Sequence, residues 1–143
     1  MREILFRGKR TDNGEWVYGY YTKARYYLNE KEMHVIFAPD GEAFPRCEFS
    51  EYEEVDPETV CQFTGLYDKN GRKIFEGDIV NFYNDDGEFS PYEVRWQDSG
   101  FSVLMNGNPD LFDELDDFFS RRCEIIGNIY DNPELLEGRD EIL

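Results

Sequence analysis

The chain has 143 residues, the length of one ordinary domain, and can bury a single sizeable hydrophobic core. Its formal net charge of −17 would repel nucleic-acid phosphates and anionic lipid, so the composition argues against direct nucleic-acid binding and against membrane-surface binding. Aromatic residues make up 17% of the sequence, including 10 Tyr and 12 Phe, and this enrichment favours a fold built from β-strands.

Cysteine usage and the lack of long apolar stretches predict the compartment. Cys47, Cys61 and Cys123 are odd in number and widely separated, which favours buried reduced thiols over a disulfide framework. The opening residues are too short an apolar run for a signal peptide, and no stretch approaches the roughly 18 apolar residues of a membrane span. We therefore expect a cytoplasmic protein.

Two β-hairpins are predicted in the first half of the chain. The turn residues Asp12-Asn13-Gly14 separate two apolar runs and would pair residues 4–6 with residues 15–21. A polar loop of hairpin length then separates residues 26–28 from residues 33–37, which predicts the second hairpin.

A denser run of strands is predicted between residues 60 and 105. Within it, Asn70-Gly71 lies between two apolar runs, and this dipeptide supplies the positive φ angles that tight hairpin turns need. The sequence therefore predicts a hairpin turn over residues 68–71, with Gly71 in a positive-φ conformation.

One short helix is predicted after these strands. Asn108 and Pro109 have the pattern of a helix N-terminus, with Asn as the N-cap and Pro at the first helical position. Apolar residues then recur at helical spacing at Leu111, Leu115 and Phe118.

The predicted fold class is mainly β, either all-β or a β-rich α+β fold. An N-terminal β-hairpin lobe over residues 1–58 is expected to pack on residues 59–143 and form one compact unit with them. The order of elements in residues 60–131, about five short strands with a helical segment before the last one, is that of a small SH3-like barrel. Residues 48–58 are acidic and contain Pro57, which favours a solvated connector, although Phe49, Tyr52 and Val55 leave open that the segment packs.

Four short motifs point to a family. They are Gln62-Phe63-Thr64-Gly65-Leu66, Asp68-Lys69-Asn70-Gly71, Ile74-Phe75-Glu76-Gly77-Asp78-Ile79-Val80 and Ile126-Gly127-Asn128-Ile129-Tyr130. In this order and spacing they resemble the YopX family of phage and prophage proteins. The resemblance implies a bacteriophage or prophage origin and a location in a bacterial cytoplasm, and it implies no reaction and no cofactor.

No motif in the sequence predicts a catalytic, cofactor-binding or metal-binding residue. Glu76 and Asp78 are placed on one strand face around Gly77, and Gly inside a strand more often marks a bend than a site. His34 is the single histidine, and no acid or cysteine was found at ligand spacing in its strand. The acids of residues 110–117 lack the spacing of a calcium loop. The family motifs are therefore interpreted as structural.

The leading functional hypothesis is a non-enzymatic interaction module that binds a host or phage protein, or itself. The aromatic stripe of Trp16, Tyr18 and Tyr20, together with Tyr26 and Tyr27, fits core packing best and a binding face second. The acidic surplus leaves open a DNA mimic that inhibits a host nucleic-acid-binding protein, and a small enzyme with an unfamiliar site is a third hypothesis. A mimic needs rows of carboxylates, a binding module needs exposed aromatic residues, and an enzyme needs a pocket with convergent polar groups.

Overall fold

The computed structural model describes residues 4–26, 31–37, 52–83, 89–97 and 100–137. These residues form two antiparallel sheets with only short helices, which confirms the mainly β prediction. The chain divides into two compact units, Met1–Phe63 and Thr64–Leu143. Within the described residues no helix is long and apolar enough to cross a membrane.

The first sheet has six strands in the order β4-β3-β2-β1-β5-β6. Their bounds are β1 Phe6–Lys9, β2 Trp16–Tyr26, β3 Lys31–Phe37, β4 Tyr52–Glu54, β5 Cys61–Tyr67 and β6 Lys73–Phe75. A 3-10 turn, Pro57–Thr59, precedes β5.

The second sheet has five strands in the order β10-β9-β8-β7-β11. Their bounds are β7 Asp78–Tyr83, β8 Phe89–Gln97, β9 Gly100–Met105, β10 Phe112–Glu114 and β11 Cys123–Asn128. Two single-turn helices accompany them, α1 Asp117–Ser120 and α2 Glu134–Glu137.

The described strands do not close into the SH3-like barrel that the sequence predicted. Both strand orders are open, with a terminal strand at each end. The reason lies in β5 and β6, because β5 pairs with β1 on one side and β6 on the other. A barrel would place β5 and β6 in one sheet with β7–β9. Here they belong to the first sheet, and β7–β9 belong to the second.

One long strand, β2, takes part in both hairpins predicted in the first unit. The first hairpin is confirmed. The second forms between β2 and β3, but Lys31 and Glu32, predicted to lie in its loop, belong to β3, and residues 27–28 lie outside the described residues. β1 pairs with the start of β2 in the register Phe6↔Gly19, and Gly14 in the connecting turn has φ 73°. The end of β2 pairs with β3 as far as Tyr26↔Lys31, around a loop that lies outside the described residues. β2 continues for 11 residues through Gly19, which pairs with Phe6 of β1 directly before Tyr20 begins the pairing with β3.

The predicted solvated connector differs from the structure at its C-terminal half. Residues 48–51 lie outside the described residues, but Tyr52–Glu54 form β4 and pair with β3. Val55 is fully buried, and its N–H donates to His34 O at 2.8 Å. Glu53 and Glu54 lie between Tyr52 and Val55 on the terminal strand of the sheet, where charged side chains are common.

The hairpin turn predicted at residues 68–71 is confirmed. Gly71 has φ 81°, and its N–H donates to Asp68 O at 3.0 Å. The Asp68 carboxylate is buried and accepts three backbone hydrogen bonds. Oδ1 accepts from Asn70 N and Arg72 N, both at 2.9 Å, and Oδ2 accepts from Ile125 N in β11 at 3.0 Å.

A second glycine bend separates β6 from β7. Gly77 has φ 89°, and its N–H donates to Val94 O at 2.8 Å. Asp78 is buried, with Oδ2 accepting from Phe75 N at 2.7 Å. Glu76 lies in the turn itself, so the prediction that Glu76 and Asp78 share a strand face is wrong, because the bend predicted at Gly77 ends the strand.

The helix predicted from residue 108 is wrong over most of its length. Asn108 Oδ1 accepts from Asp110 N at 2.9 Å, and Met105 N donates to Leu111 O at 2.8 Å. The segment is therefore a turn that returns the chain to β9 as strand β10. A short polar side chain such as Asn stabilises such turns as readily as helix N-termini, so the capping pattern did not distinguish the two.

The helix starts eight residues later, at α1. Asp116 is its N-cap, and the carboxylate accepts from Phe119 N at 2.8 Å. Leu115 is buried, while Leu111 is 51% and Phe118 61% exposed, so the three apolar residues do not share a buried helix face. Leu111 precedes β10, Leu115 follows it and Phe118 lies in α1, so their helical spacing does not reflect one continuous helix.

The core of the second unit lies between its sheet and the segment that contains α1. It consists of buried residues from β6 to β11 together with two from the α1 segment, namely Ile74, Val80, Tyr92, Val94, Val103, Leu115, Phe119, Cys123 and Ile125. Most of its apolar strand residues were already recognisable by their position in alternating runs.

We expect Gly71→Ala to destabilise the protein by about 1 kcal/mol, because an added Cβ meets no atom there and the backbone angle alone is unfavourable. Gly100→Ala is the matched control, since its Cβ position is also open but its φ lies outside the left-handed region. Urea unfolding of both variants measures the difference. Equal free energies of unfolding would show that the turn does not need the positive angle.

Candidate functional site

A groove of about 360 Å³ opens in the second unit beside α1 and β10. We call it the acidic groove. Its floor is aromatic and consists of Phe82, Tyr92 and Phe119. Three carboxylates and one exposed ring complete its lining, namely Asp113, Glu114, Asp116 and Phe118.

The floor is a close-packed set of three rings. Phe82 and Phe119 stack with their centroids 4.3 Å apart, and Tyr92 meets Phe119 edge-on at 5.3 Å. These are the offset and T-shaped geometries that aromatic quadrupoles favour. Burial, and secondarily the Asp113 carboxylate, raise the pKa of Tyr92. The Tyr92 hydroxyl therefore stays protonated and can donate a hydrogen bond in the groove at neutral pH.

The carboxylates of the rim differ in what they already bind. Asp116 caps α1 through Phe119 N. Asp117, one residue further on, pairs with Arg121 at 3.1 Å on the outer side of the helical turn. Asp113 and Glu114 are exposed, and no cationic side chain of the described residues lies within ion-pair distance of either. Among the described residues, the groove therefore presents two carboxylates that have no cationic side chain within ion-pair distance.

Phe118 already contacts one guanidinium group. The Arg122 guanidinium lies 3.7 Å from the centroid of the Phe118 ring, and its NH1 donates to Phe118 O at 2.9 Å. This is a cation–π contact, yet the Phe118 residue remains 61% exposed. The Phe118 ring therefore binds the Arg122 guanidinium while part of the residue remains accessible to another group.

The aromatic stripe of β2 lies on the surface, so the preferred interpretation of core packing is wrong. Tyr18 is 46% and Tyr20 47% exposed, and Trp16 is half-buried. The Arg7 guanidinium lies 4.6 Å from the Trp16 ring centroid, in cation–π geometry. The Cα register places Trp16 opposite Lys9 and Tyr18 opposite Arg7, so these aromatic residues share one face of the sheet with the basic residues of β1.

His34 has partners that sequence reasoning overlooked. The Tyr21 hydroxyl lies 2.6 Å from His34 Nδ1, and Glu32 Oε1 lies 3.8 Å from Nε2. Glu32 is two residues away on the same strand, a spacing at which strand neighbours share a face. In the described part of the chain, no group of three or more His, Cys, Asp and Glu residues is arranged to hold a metal ion. The absence of a metal requirement stays a prediction.

The family motif in β5 stabilises the hairpin of β5 and β6 through a buried side chain. Its residues are Gln62, Phe63, Thr64, Gly65 and Leu66. The buried Thr64 hydroxyl donates to Ile74 O at 2.8 Å across the hairpin and accepts from Leu66 N at 3.2 Å. Phe63 is buried in the first unit, and Leu66 packs against the core of the second.

The remaining motif residues lie in turns and in the core. The turn residues Asp68, Asn70, Gly71, Glu76 and Gly77 and the buried Asp78 were described above, and Ile74, Ile79 and Val80 are fully buried. The last motif, Gly127, Asn128, Ile129 and Tyr130, ends β11 with an Asx turn. Its Asn128 Oδ1 accepts from Tyr130 N at 3.0 Å and from Asp131 N at 2.9 Å. None of these motif residues lines the acidic groove.

Comparison with known proteins assigns the family. The family model described as YopX protein matches residues 5–137 of the chain. The chain belongs to the YopX family. Among solved structures, this YopX family chain is similar to protein EF1440 from Enterococcus faecalis, with 26% sequence identity and a TM-score of 0.51. The likeness covers 95% of this chain and 99% of that one. No curated protein matches the chain.

The Cys123 thiol is held in its neutral form. It is buried in the core of the second unit, and its Sγ donates to Ser120 O at 3.3 Å. Burial, with the Asp68 and Asp78 carboxylates adding to it, raises the pKa of Cys123 to about 12 from an ordinary value of 9.0. A nucleophilic thiolate is therefore not formed there at neutral pH.

We expect a maleimide at about pH 8 to leave Cys123 unlabelled in the native protein and to label it once urea unfolds the chain, because both burial and protonation protect the thiol. Peptide mass mapping separates Cys123 from the other cysteines. The same raised pKa stabilises the fold fully below about pH 9, and this contribution is lost between about pH 9 and 12. Rapid native labelling of Cys123 would contradict this description of the core.

Proposed function

We propose that this YopX family protein is a non-enzymatic binding module whose acidic groove holds a basic segment of another protein. The observation that supports the proposal most strongly is the juxtaposition of two unpaired rim carboxylates, Asp113 and Glu114, with the exposed Phe118 ring over an aromatic floor. We further propose a phage or prophage origin and a bacterial cytoplasm as the place of action, so the partner would be a host or phage protein. Support for the origin comes from the family motifs alone.

The chemistry of the groove suits a guanidinium or ammonium group. A carboxylate accepts charge-assisted hydrogen bonds from either cation, and an aromatic face attracts the same charge. Arg122 on Phe118 provides an internal example of this contact. A flat guanidinium can also stack on a ring while it donates to a carboxylate at its edge, which makes arginine the best fit.

The acidic DNA-mimic hypothesis has less support. It needs carboxylates in rows, and the three acidic stretches of the sequence are residues 48–58, 84–88 and 110–117. Only the last lies wholly within the described residues, where Asp116 and Asp117 are used in a helix cap and an ion pair. The enzyme hypothesis draws on the same groove, because carboxylates and Tyr92 can act as acid–base groups, but the described lining offers no His, Cys or Lys to work with them.

The proposal predicts that neutralising the rim carboxylates weakens binding of a basic peptide. The probe is a fluorescent, capped seven-residue peptide with a Val-Arg-Arg centre, measured by anisotropy near physiological salt, where long-range charge attraction is largely screened. We expect the double variant Asp113→Asn/Glu114→Gln to bind it about tenfold more weakly, a loss of about 1.4 kcal/mol for two charge-assisted contacts.

The matched control is Asp131→Asn/Glu134→Gln, which removes the same formal charge from exposed acids of the same unit that lie outside β10 and do not line the groove. Its affinity should stay within about twofold of the wild type, since exposed distant charges are screened. Equal losses in both double variants would show that net charge alone attracts the peptide. If the protein instead displaces DNA from a basic DNA-binding protein, and both double variants weaken that displacement alike, the mimic hypothesis replaces the groove proposal.

A further inference from the structure

We propose that the partner segment binds as an extended strand, added to the open edge of the second sheet at β10. This inference rests on the proposed function, because it concerns the same groove, and it specifies the backbone conformation of the ligand. β10 is the terminal strand of its sheet among the described strands, and its three residues are all exposed. A strand in this position presents unpaired backbone groups to any further strand.

The register of β10 shows which backbone groups face outward. Met105 N donates to Leu111 O and Leu115 N donates to Phe101 O, so the Leu111 carbonyl and the Leu115 N–H point toward β9. Antiparallel ladders alternate between hydrogen-bonded and non-hydrogen-bonded pairs. Asp113, opposite Val103, therefore also faces β9, whereas the N–H and C=O groups of Phe112 and Glu114 face the open edge.

The side chains along this edge define the chemistry of the added strand. A neighbouring strand would lie about 4.8 Å from β10, and its side chains would stand directly opposite those of β10. Cross-strand pairs are favourable between opposite charges and between apolar residues. The preferred segment therefore has an apolar residue opposite Phe112 and cationic residues opposite Asp113 and Glu114, and the cation opposite Asp113 lies on the groove side of the sheet.

Charge argues against a second copy of this chain as the occupant. Edge-to-edge pairing of two β10 strands would bring Asp113 and Glu114 of one copy close to the same carboxylates of the other. Like charges directly opposite each other destabilise a strand pair. The whole chain carries a net charge of −17, which adds long-range repulsion between copies. A basic segment of a different protein is subject to neither the cross-strand repulsion nor the long-range repulsion.

The test uses the wild-type protein and three forms of the Val-Arg-Arg peptide. Two forms carry N-methyl groups on alternate residues, one form on the odd positions and the other on the even positions. All three have the same side chains and charge, and the two methylated forms have the same number of methyl groups. An added strand turns only one alternate set of its N–H groups toward β10. We therefore expect one methylated form to bind at least about tenfold more weakly and the other to bind like the parent peptide.

A second readout on the protein identifies the edge. Amide hydrogen exchange of Phe112 and Glu114, followed by NMR, should slow markedly when the parent peptide is bound, because these N–H groups become hydrogen-bonded. Equal affinities of both methylated forms, or unchanged exchange at Phe112 and Glu114, would overturn strand addition. If the parent peptide still depends on Asp113 and Glu114 in that case, the groove proposal stands. If that dependence is also lost, both proposals fail.

Discussion

The structure of the second unit depends on one buried carboxylate, that of Asp68. Its three backbone hydrogen bonds hold the turn between β5 and β6 and attach that turn to β11. A second hydrogen bond joins the turn to β11, from Lys69 N to Cys123 O at 2.9 Å. A buried carboxylate loses its hydration and is stable only when such donors replace it. The carboxylate therefore fixes the position of β11 relative to the hairpin, and the core closes around that junction.

The acidic groove follows from this junction. β11 pairs with β7, which contributes Phe82 to the groove, and Cys123 lies directly opposite Phe82 in the register. The α1 turn, which contributes Phe118 and Phe119, ends three residues before β11 begins. The rigid part of the molecule thus lies under the aromatic floor, while β10, which contributes the carboxylates, is an exposed strand of three residues. A stable floor with a bare edge is a suitable arrangement for binding an extended segment.

The sequence predicted the turn at residues 68–71 but neither the open sheets nor the acidic groove. Asn-Gly at residues 70–71 determines its own turn through backbone sterics, so the prediction needed no tertiary information. The barrel was wrong because the pairing of β5 with β1 is a contact between distant parts of the chain, which no local pattern encodes. The helix predicted from residue 108 includes the acids of residues 110–117, so the sequence predicts no groove there. The groove exists because this segment is a turn, a strand and a helix in succession.

The central role of Asp68 is tested most directly by the free energy of unfolding of Asp68→Asn, compared with Asp110→Asn. In Asp68→Asn, an NH₂ group replaces one of the two carboxylate oxygens. This NH₂ group cannot accept a hydrogen bond, so at least one buried backbone N–H loses its acceptor. The account predicts that Asp68→Asn destabilises the protein by about 1–3 kcal/mol in urea and speeds hydrogen exchange at the Ile125 amide. Asp110 is exposed, and its replacement should change the free energy by less than about 0.5 kcal/mol. Equal stability of the two variants, with the Ile125 amide still protected, would contradict the account.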